Sequence, residues 1–85
     1  MSCWVYILRS EKNGDIYIGS SEDVRNRLTL HNEGRVKSTK AYRPWKLLEQ
    51  EEFGSRSEAF RRERLLKTGQ QKELLKSKYG LVAKW

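Results

Sequence analysis

The stretch IYIGSSEDVRNRLTLH, residues 16–31, decides how this chain folds, because its apolar positions switch from a period of two to a period near 3.6 within a few residues. It reads as a strand, a tight turn and a helix. Gly19 lets the backbone turn without a Cβ. Ser20 or Ser21 is placed to cap the free N–H groups of the new helix, and Glu22 and Asp23 suit its positive end. At about 100° per residue, Val24, Leu28 and His31 fall on one narrow stripe, with Arg27 on its border. Neither the guanidinium nor the imidazole then points freely into water. Each also has an ordinary reading: an arginine stem lying over the core with its head in solvent, and a hydrogen-bonded histidine at the core edge.

Upstream, residues 3–9, CWVYILR, are rich in aromatic and β-branched types and predict a strand that is central or covered on both sides. Trp4, Tyr6 and Leu8 share one of its faces, and Cys3, Val5 and Ile7 the other. Asn13-Gly14 signals a hairpin into a second strand running from Asp15 to about Ile18. A two-residue turn at Asn13-Gly14 pairs Tyr17 with Ser10. A four-residue loop from Ser10 to Asn13 pairs Tyr17 with Tyr6, and is preferred because it uses the whole apolar run. The two registers differ by an even shift, so both keep Tyr6 and Tyr17 on one face.

Downstream, the first helix is expected from about Ser21 to Asn32, closing at Gly34. A basic loop follows, in which Arg35, Lys37, Lys40 and Arg43 alternate with Ser38, Thr39 and Tyr42. Phosphate-pairing cations, hydroxyl donors and a stacking ring suit a nucleic-acid rim, although the same composition also describes a solvated loop. Pro44 precedes a third strand, Trp45 to about Phe53, with Leu47 and Phe53 on the same face as Glu49 and Glu51; the late glutamates mark an exposed edge. Ser55 and Glu58 make a capping box that opens a second helix reaching about Lys67. Thr68 with Gln71 opens a short third helix to about Lys78, and GLVAKW is expected to be a loosely packed tail.

The second helix carries a misplaced charge. Ala59, Phe60 and Leu66 define its apolar face, and Glu63 lies within that arc. A buried carboxylate without compensation costs several kcal/mol. Compensation comes either from Arg27 or a tyrosine hydroxyl, or from a divalent metal held by one carboxylate together with waters and a substrate phosphate. Only the metal makes use of a cationic surface.

The whole chain agrees with a polyanionic partner. Its 85 residues suit one domain, 1–85, and 18 basic against 11 acidic side chains leave a net charge of +7. Nucleic acid fits better than a membrane surface, because no strongly amphipathic anchor stands out. Cys3 has no partner for an internal disulfide, no signal peptide opens the chain, and no apolar run approaches ~20 residues, so a cytoplasmic protein is expected. No zinc-type spacing of Cys and His occurs, and no internal repeat.

With Tyr6, Tyr17, Arg27, His31 and Glu63 in hand, the chain resembles the GIY-YIG nuclease family, most closely its small single-domain bacterial excinuclease-C-like members. Val5-Tyr6-Ile7 stands for the first signature triplet, with valine where the family name has glycine, and Tyr17-Ile18-Gly19 is the second, intact. The tyrosines are eleven residues apart, Arg27 follows Gly19 by eight, His31 lies one turn further on, and SEAFRRERLLK carries Glu63. The resemblance implies an α+β fold with a three-stranded antiparallel sheet flanked by helices. It implies a metal-dependent endonuclease that hydrolyses DNA phosphodiester bonds, structure-selective or weakly sequence-specific, with a place in DNA repair or recombination. By the same resemblance Glu63 binds one Mg2+ or Mn2+ and Arg27 holds the scissile phosphate. One tyrosine orients or deprotonates the attacking water, and the other completes the network with His31. DNA is the implied partner, a membrane is not, and a monomer or weak dimer is expected. The asparagine that several family members carry after the metal-binding helix has no clear match. The rival reading is a non-catalytic nucleic-acid-binding module, with the tyrosines as core and Glu63 as half of an ion pair.

Overall fold

A computed structural model describes residues 2–78, which form β1 (Cys3–Ser10), β2 (Ile16–Ser21), α1 (Val24–Asn32), a 3-10 turn (Lys40–Tyr42), β3 (Trp45–Phe53), α2 (Arg56–Leu66) and α3 (Gly69–Lys78). The expected loose tail, GLVAKW, lies outside the described residues. The strands make one antiparallel sheet in the order β2-β1-β3, which puts the most apolar strand in the centre, as its sequence predicts. Alternation along β1 then builds two cores. Tyr6 and Leu8 pack with Val24 of α1 and Trp45, flanked by Trp4, Tyr17, Leu28 and Leu47. Cys3, Val5 and Ile7 pack on the other face with Ile16, Ile18, Ala59 and Leu66 of α2, and Leu75 of α3. Each fully buried Leu or Ile side chain contributes roughly 1.5–3 kcal/mol. Among the described residues no helix is long and apolar enough to cross a membrane.

The hairpin takes a register midway between the two expected ones. Ser10 N–H donates to the Asp15 carbonyl at 2.8 Å, leaving a four-residue loop of Glu11 to Gly14. Leu8 therefore faces Tyr17, and Tyr6 faces Gly19 rather than Tyr17. The Ser10 hydroxyl sets this register by accepting from Lys12 N–H at 3.1 Å and Asn13 N–H at 3.2 Å, and Gly14 closes the loop at φ +79°. The shift from either expectation is even, so both tyrosines keep the same face.

Two further expectations are corrected. Trp4, Val5 and Tyr6 pair with Ser21, Ser20 and Gly19, so β2 runs past Ile18 and α1 starts later than Ser21. Its N-cap is Asp23, whose carboxylate accepts from Asn26 N–H at 3.0 Å. In β3, Ile7 pairs with Glu49 but Leu8 pairs with Leu47, so Leu48 is an inserted residue, a β-bulge. The insertion reverses parity: Leu47 joins the Tyr6 face, whereas Leu48 and Phe53 pack on the opposite one, and Leu47 and Phe53 do not share a face.

Ser55 caps α2 by accepting from Glu58 N–H at 3.2 Å. Ala59 and Leu66 are buried as expected, but Phe60 is 52% exposed and does not belong to the apolar face.

Candidate active site

The site begins with a missing atom group. Tyr6 stands on the central strand opposite Gly19, and a Cβ on Gly19 would lie 2.6 Å from the Tyr6 hydroxyl oxygen and 2.7 Å from its Cζ. Gly19 sits inside β2 without a positive φ. Its role is therefore to make room, not to turn the chain. The ring of Tyr6 leans across the edge strand through this gap and delivers its hydroxyl to the sheet's rim.

His31, from the buried stripe of α1, meets that hydroxyl. Its Nε2 lies 3.1 Å from Tyr6 Oη and its Nδ1 2.7 Å from Thr39 Oγ1, while Thr39 Oγ1 donates to the Val36 carbonyl at 3.3 Å. Thr39 has one hydroxyl proton, so one arrangement satisfies all three bonds: Nδ1–H donates to Thr39, and Nε2 accepts from Tyr6. Tyr17 walls the histidine edge-on, with ring centroids 4.8 Å apart, and lies 6.3 Å from Tyr6 and 6.1 Å from Trp45. Thr39 is held by its carbonyl, which accepts from Trp45 Nε1 at 2.9 Å. The sequence places Thr39 on a nucleic-acid rim; the structure buries it beneath His31. Nothing in the loop's spacing distinguishes it from exposed Ser38.

Arg27, half-buried on the border of the stripe, brings its positive charge to the Tyr6 hydroxyl. Burial pushes the Tyr6 hydroxyl above the ordinary tyrosine value, with the Arg27 hydrogen bond pulling the other way. Burial, and then the positive charge of Arg27, hold His31 below its ordinary value. At neutral pH the site therefore presents a protonated Tyr6 facing a neutral imidazole that can accept.

Glu63 arrives from the opposite side of the sheet, on α2. Ser20 Oγ donates to its Oε1 at 2.7 Å and Lys67 Nζ to its Oε2 at 2.7 Å, with the Glu63 side chain only 13% exposed. The expected partners, Arg27 or a tyrosine hydroxyl, are replaced by these two. Ser20 adjoins Gly19, the residue opposite Tyr6, so the cluster straddles the β2 edge and is not confined to the tyrosine face. A metal fits this donor set. One carboxylate beside a hydroxyl suits a hard divalent ion that keeps most of its waters. Lys67, half exposed, already fills a cation position there and can withdraw into solvent. Among the described residues no three His, Cys, Asp or Glu cluster, so Glu63 would be the sole carboxylate ligand.

The loop cations lie elsewhere on the surface. Lys37, Lys40 and Arg43 line one shallow depression with Lys12, Tyr42 is exposed beside it, and exposed Arg35 pairs with Glu33 at 3.2 Å.

Comparison with known proteins places the chain in a family. The GIY-YIG catalytic domain profile matches residues 2–79. The chain is 39% identical over 74 residues to the UPF0213 protein SSP2268 of Staphylococcus saprophyticus, covering 86% of this chain and 89% of that protein. It is 43% identical over 65 residues to the UPF0213 protein SAG0778 of Streptococcus agalactiae, covering 75% and 73%. The solution NMR structure of the UPF0213 protein BH0048 from Bacillus halodurans superposes with a TM-score of 0.55 at 35% identity, over 91% of this chain and 84% of that one. A signature that spans nearly the whole chain, on a fold shared with such a relative, makes this protein a member of the GIY-YIG family.

Proposed function

We propose that residues 1–85 are one nuclease domain, a divalent-metal-dependent endonuclease that hydrolyses DNA phosphodiester bonds with structure-selective or weakly sequence-specific cutting. The observation that carries this reading is the Tyr6 hydroxyl, bracketed by His31 Nε2 and Arg27 at the strand edge that Glu63 also reaches.

Glu63 would hold Mg2+ or Mn2+ through its carboxylate, with water completing the shell. Such an ion, when bound, neutralises charge on the phosphoryl oxygens and makes water a better nucleophile. Arg27 binds the scissile phosphate and stabilises the charge that builds on it. The water oxygen bonds to phosphorus and gives its proton to the Tyr6 oxygen, as Tyr6 passes its own proton to His31 Nε2. The bond from phosphorus to the departing deoxyribose oxygen breaks, and that oxygen takes a proton from solvent. The bound phosphodiester also offsets the Arg27 charge that holds His31 down, so substrate raises the proton affinity of the acceptor. Thr39 keeps the imidazole in the receiving tautomer, and Tyr17 fixes its orientation. Arg35, Lys37, Lys40, Tyr42 and Arg43 carry contacts to the DNA backbone. Cutting of this kind serves DNA repair or recombination in the cytoplasm.

Nicking of plasmid and branched DNA in Mn2+, with and without EDTA, tests the reading. Glu63→Gln should abolish metal-dependent cleavage while keeping or tightening DNA binding, since one negative charge leaves the site. Its stability should stay within about 1 kcal/mol of wild type, because half-exposed Lys67 simply returns to water. A Glu63→Gln protein that cuts at the wild-type rate sinks the metal-ligand assignment. Undiminished DNA binding with no cutting of any form by the wild type leaves a binding module.

A further inference from the structure

Phe60 is an aromatic side chain with no place in either core. It is 52% exposed in the middle of α2, between buried Ala59 and the line of Glu63. The guanidinium carbon of Arg64 sits over its ring at 5.9 Å from the centroid. The ring also lines the hollow that contains Ser20, Arg27 and Arg56. Phe60 precedes Glu63 by three residues, one helical turn or about 5 Å of axial rise, so an exposed aromatic face stands directly beside the reaction centre.

The charge around this ring favours an anion. Arg61 and Arg64 flank it, and no ion pair among the described residues engages either. The acidic groups nearby are Glu63, one turn on and paired with Lys67 at 2.7 Å, Glu22, paired with Arg56 at 3.0 Å, Asp23, which caps α1, and Glu58 in the first turn of α2. A ring in a basic setting, with a cation on one face, offers its other face for stacking. The same patch would repel a second copy of itself, because the arginines would meet arginines.

We infer that Phe60, backed by Arg64, is a stacking platform for an unpaired DNA base next to the scissile phosphate. The inference rests on the nuclease reading and gives structural selectivity a physical cause. In a continuous duplex both faces of every base are already stacked, and none is free for Phe60. In a single strand, a frayed end or a bulge, one face is available, and base–aromatic stacking is sequence-tolerant.

The test is binding in EDTA, so that no cleavage is needed, with a fluorescein-labelled mixed-sequence single strand and with the same sequence as a blunt duplex. Phe60→Ala should weaken single-strand binding about tenfold and duplex binding less than about twofold. Phe60→Trp should keep the affinity and show tryptophan quenching on strand addition beyond that of wild type. Phe60→Leu, apolar but ringless, should behave as Phe60→Ala. Equal losses on both probes, full retention by Phe60→Leu, or a wild-type dimer that Phe60→Ala dissociates in sedimentation would each overturn the platform. A protein that binds as described yet never cuts would remove the nuclease reading and keep the platform; normal cutting with no Phe60 effect on binding would do the reverse.

Discussion

Beneath α2 and α3 the sheet meets Cys3, Val5, Ile7, Ile16, Ile18, Ala59, Leu66 and Leu75, all of them apolar side chains. Beneath α1 it meets Tyr6, His31 and Thr39, which are as deeply buried but joined through hydroxyls and an imidazole. The same central strand serves both, its odd residues one way and its even residues the other. The apolar face tolerates any well-filled packing and supplies stability without direction. The polar face must satisfy every donor and acceptor at once, which allows a single arrangement of its protons. Apart from Glu63, which reaches the β2 edge from α2, the buried polar cluster and the apolar core thus lie on opposite sides of one sheet, and mutations on the two sides should fail differently.

After the abolition expected of Glu63→Gln, the largest effect should come from Arg27→Ala, which removes a unique charge from the polar side. Cleavage should fall about a hundred- to a thousandfold, whereas DNA affinity, spread over many cations, should fall far less. Single-turnover nicking beside anisotropy measures both, and proportional losses would argue against a role in the transition state. On the apolar side, Ile7→Ala should cost roughly 2 to 5 kcal/mol in urea denaturation, yet leave the folded protein cutting at nearly the wild-type rate. A specific rate defect there would blur the division between the faces.

Tyr6→Phe should show both kinds of damage. It leaves His31 Nε2 a buried acceptor without its donor, a loss of roughly 1 to 3 kcal/mol, and it removes the proposed proton carrier, so hydrolysis should slow well beyond the stability loss. Tyr17→Phe should slow it less. The opposite ranking would make Tyr17 the base.

The smallest effect is a pH dependence. His31 is the chain's one histidine, and its proton affinity is lower folded than unfolded. The unfolded state therefore binds more protons near pH 6.5, so its contribution to stability is whole above about pH 6.5 and drains as pH falls through that value toward the folded pKa. Thermal melts between pH 8 and 5.5 should show this loss in wild type and a flatter profile in His31→Gln. Nitrogen NMR of the lone imidazole should report the Nδ1–H tautomer, kept in Thr39→Ser and lost in Thr39→Val; an Nε2–H signal in wild type would break the proton relay.

Alternation along the central strand and the cap of α2 are legible in the sequence, whereas the cap of α1 is Asp23 in place of the expected Ser20 or Ser21. Alternation in CWVYILR put Tyr6 on its face, an even hairpin shift kept Tyr17 beside it, and Ser55 with Glu58 marked the start of α2. Interactions that depend on distance across the fold are not legible there. A glycine in a signature announces that no Cβ is allowed, but not whether φ or space forbids it, and at Gly19 it is space. Glu63 is visibly misplaced in the sequence, and Lys67, four residues on, is an i,i+4 partner open to sequence reading; its other partner, Ser20, follows only from where α2 crosses the β2 edge. Phe60 was assigned to the core by its apolar character, because a helical wheel does not show how narrow a strip of α2 the sheet covers. Leu48 escaped because a bulge expresses twist, which alternation assumes away.

Leu48 also governs what the molecule avoids. Among the described residues no strand pairs with the outer side of β3, and an open edge is a template on which other chains add strands. The inserted residue coils that edge away from flatness, and any docking strand would have to strip water from Glu52 and from the ion-paired Glu49 and Glu51. Deleting Leu48 while neutralising Glu51 and Glu52 would present a straighter, less charged edge, through which copies of the chain should add to one another.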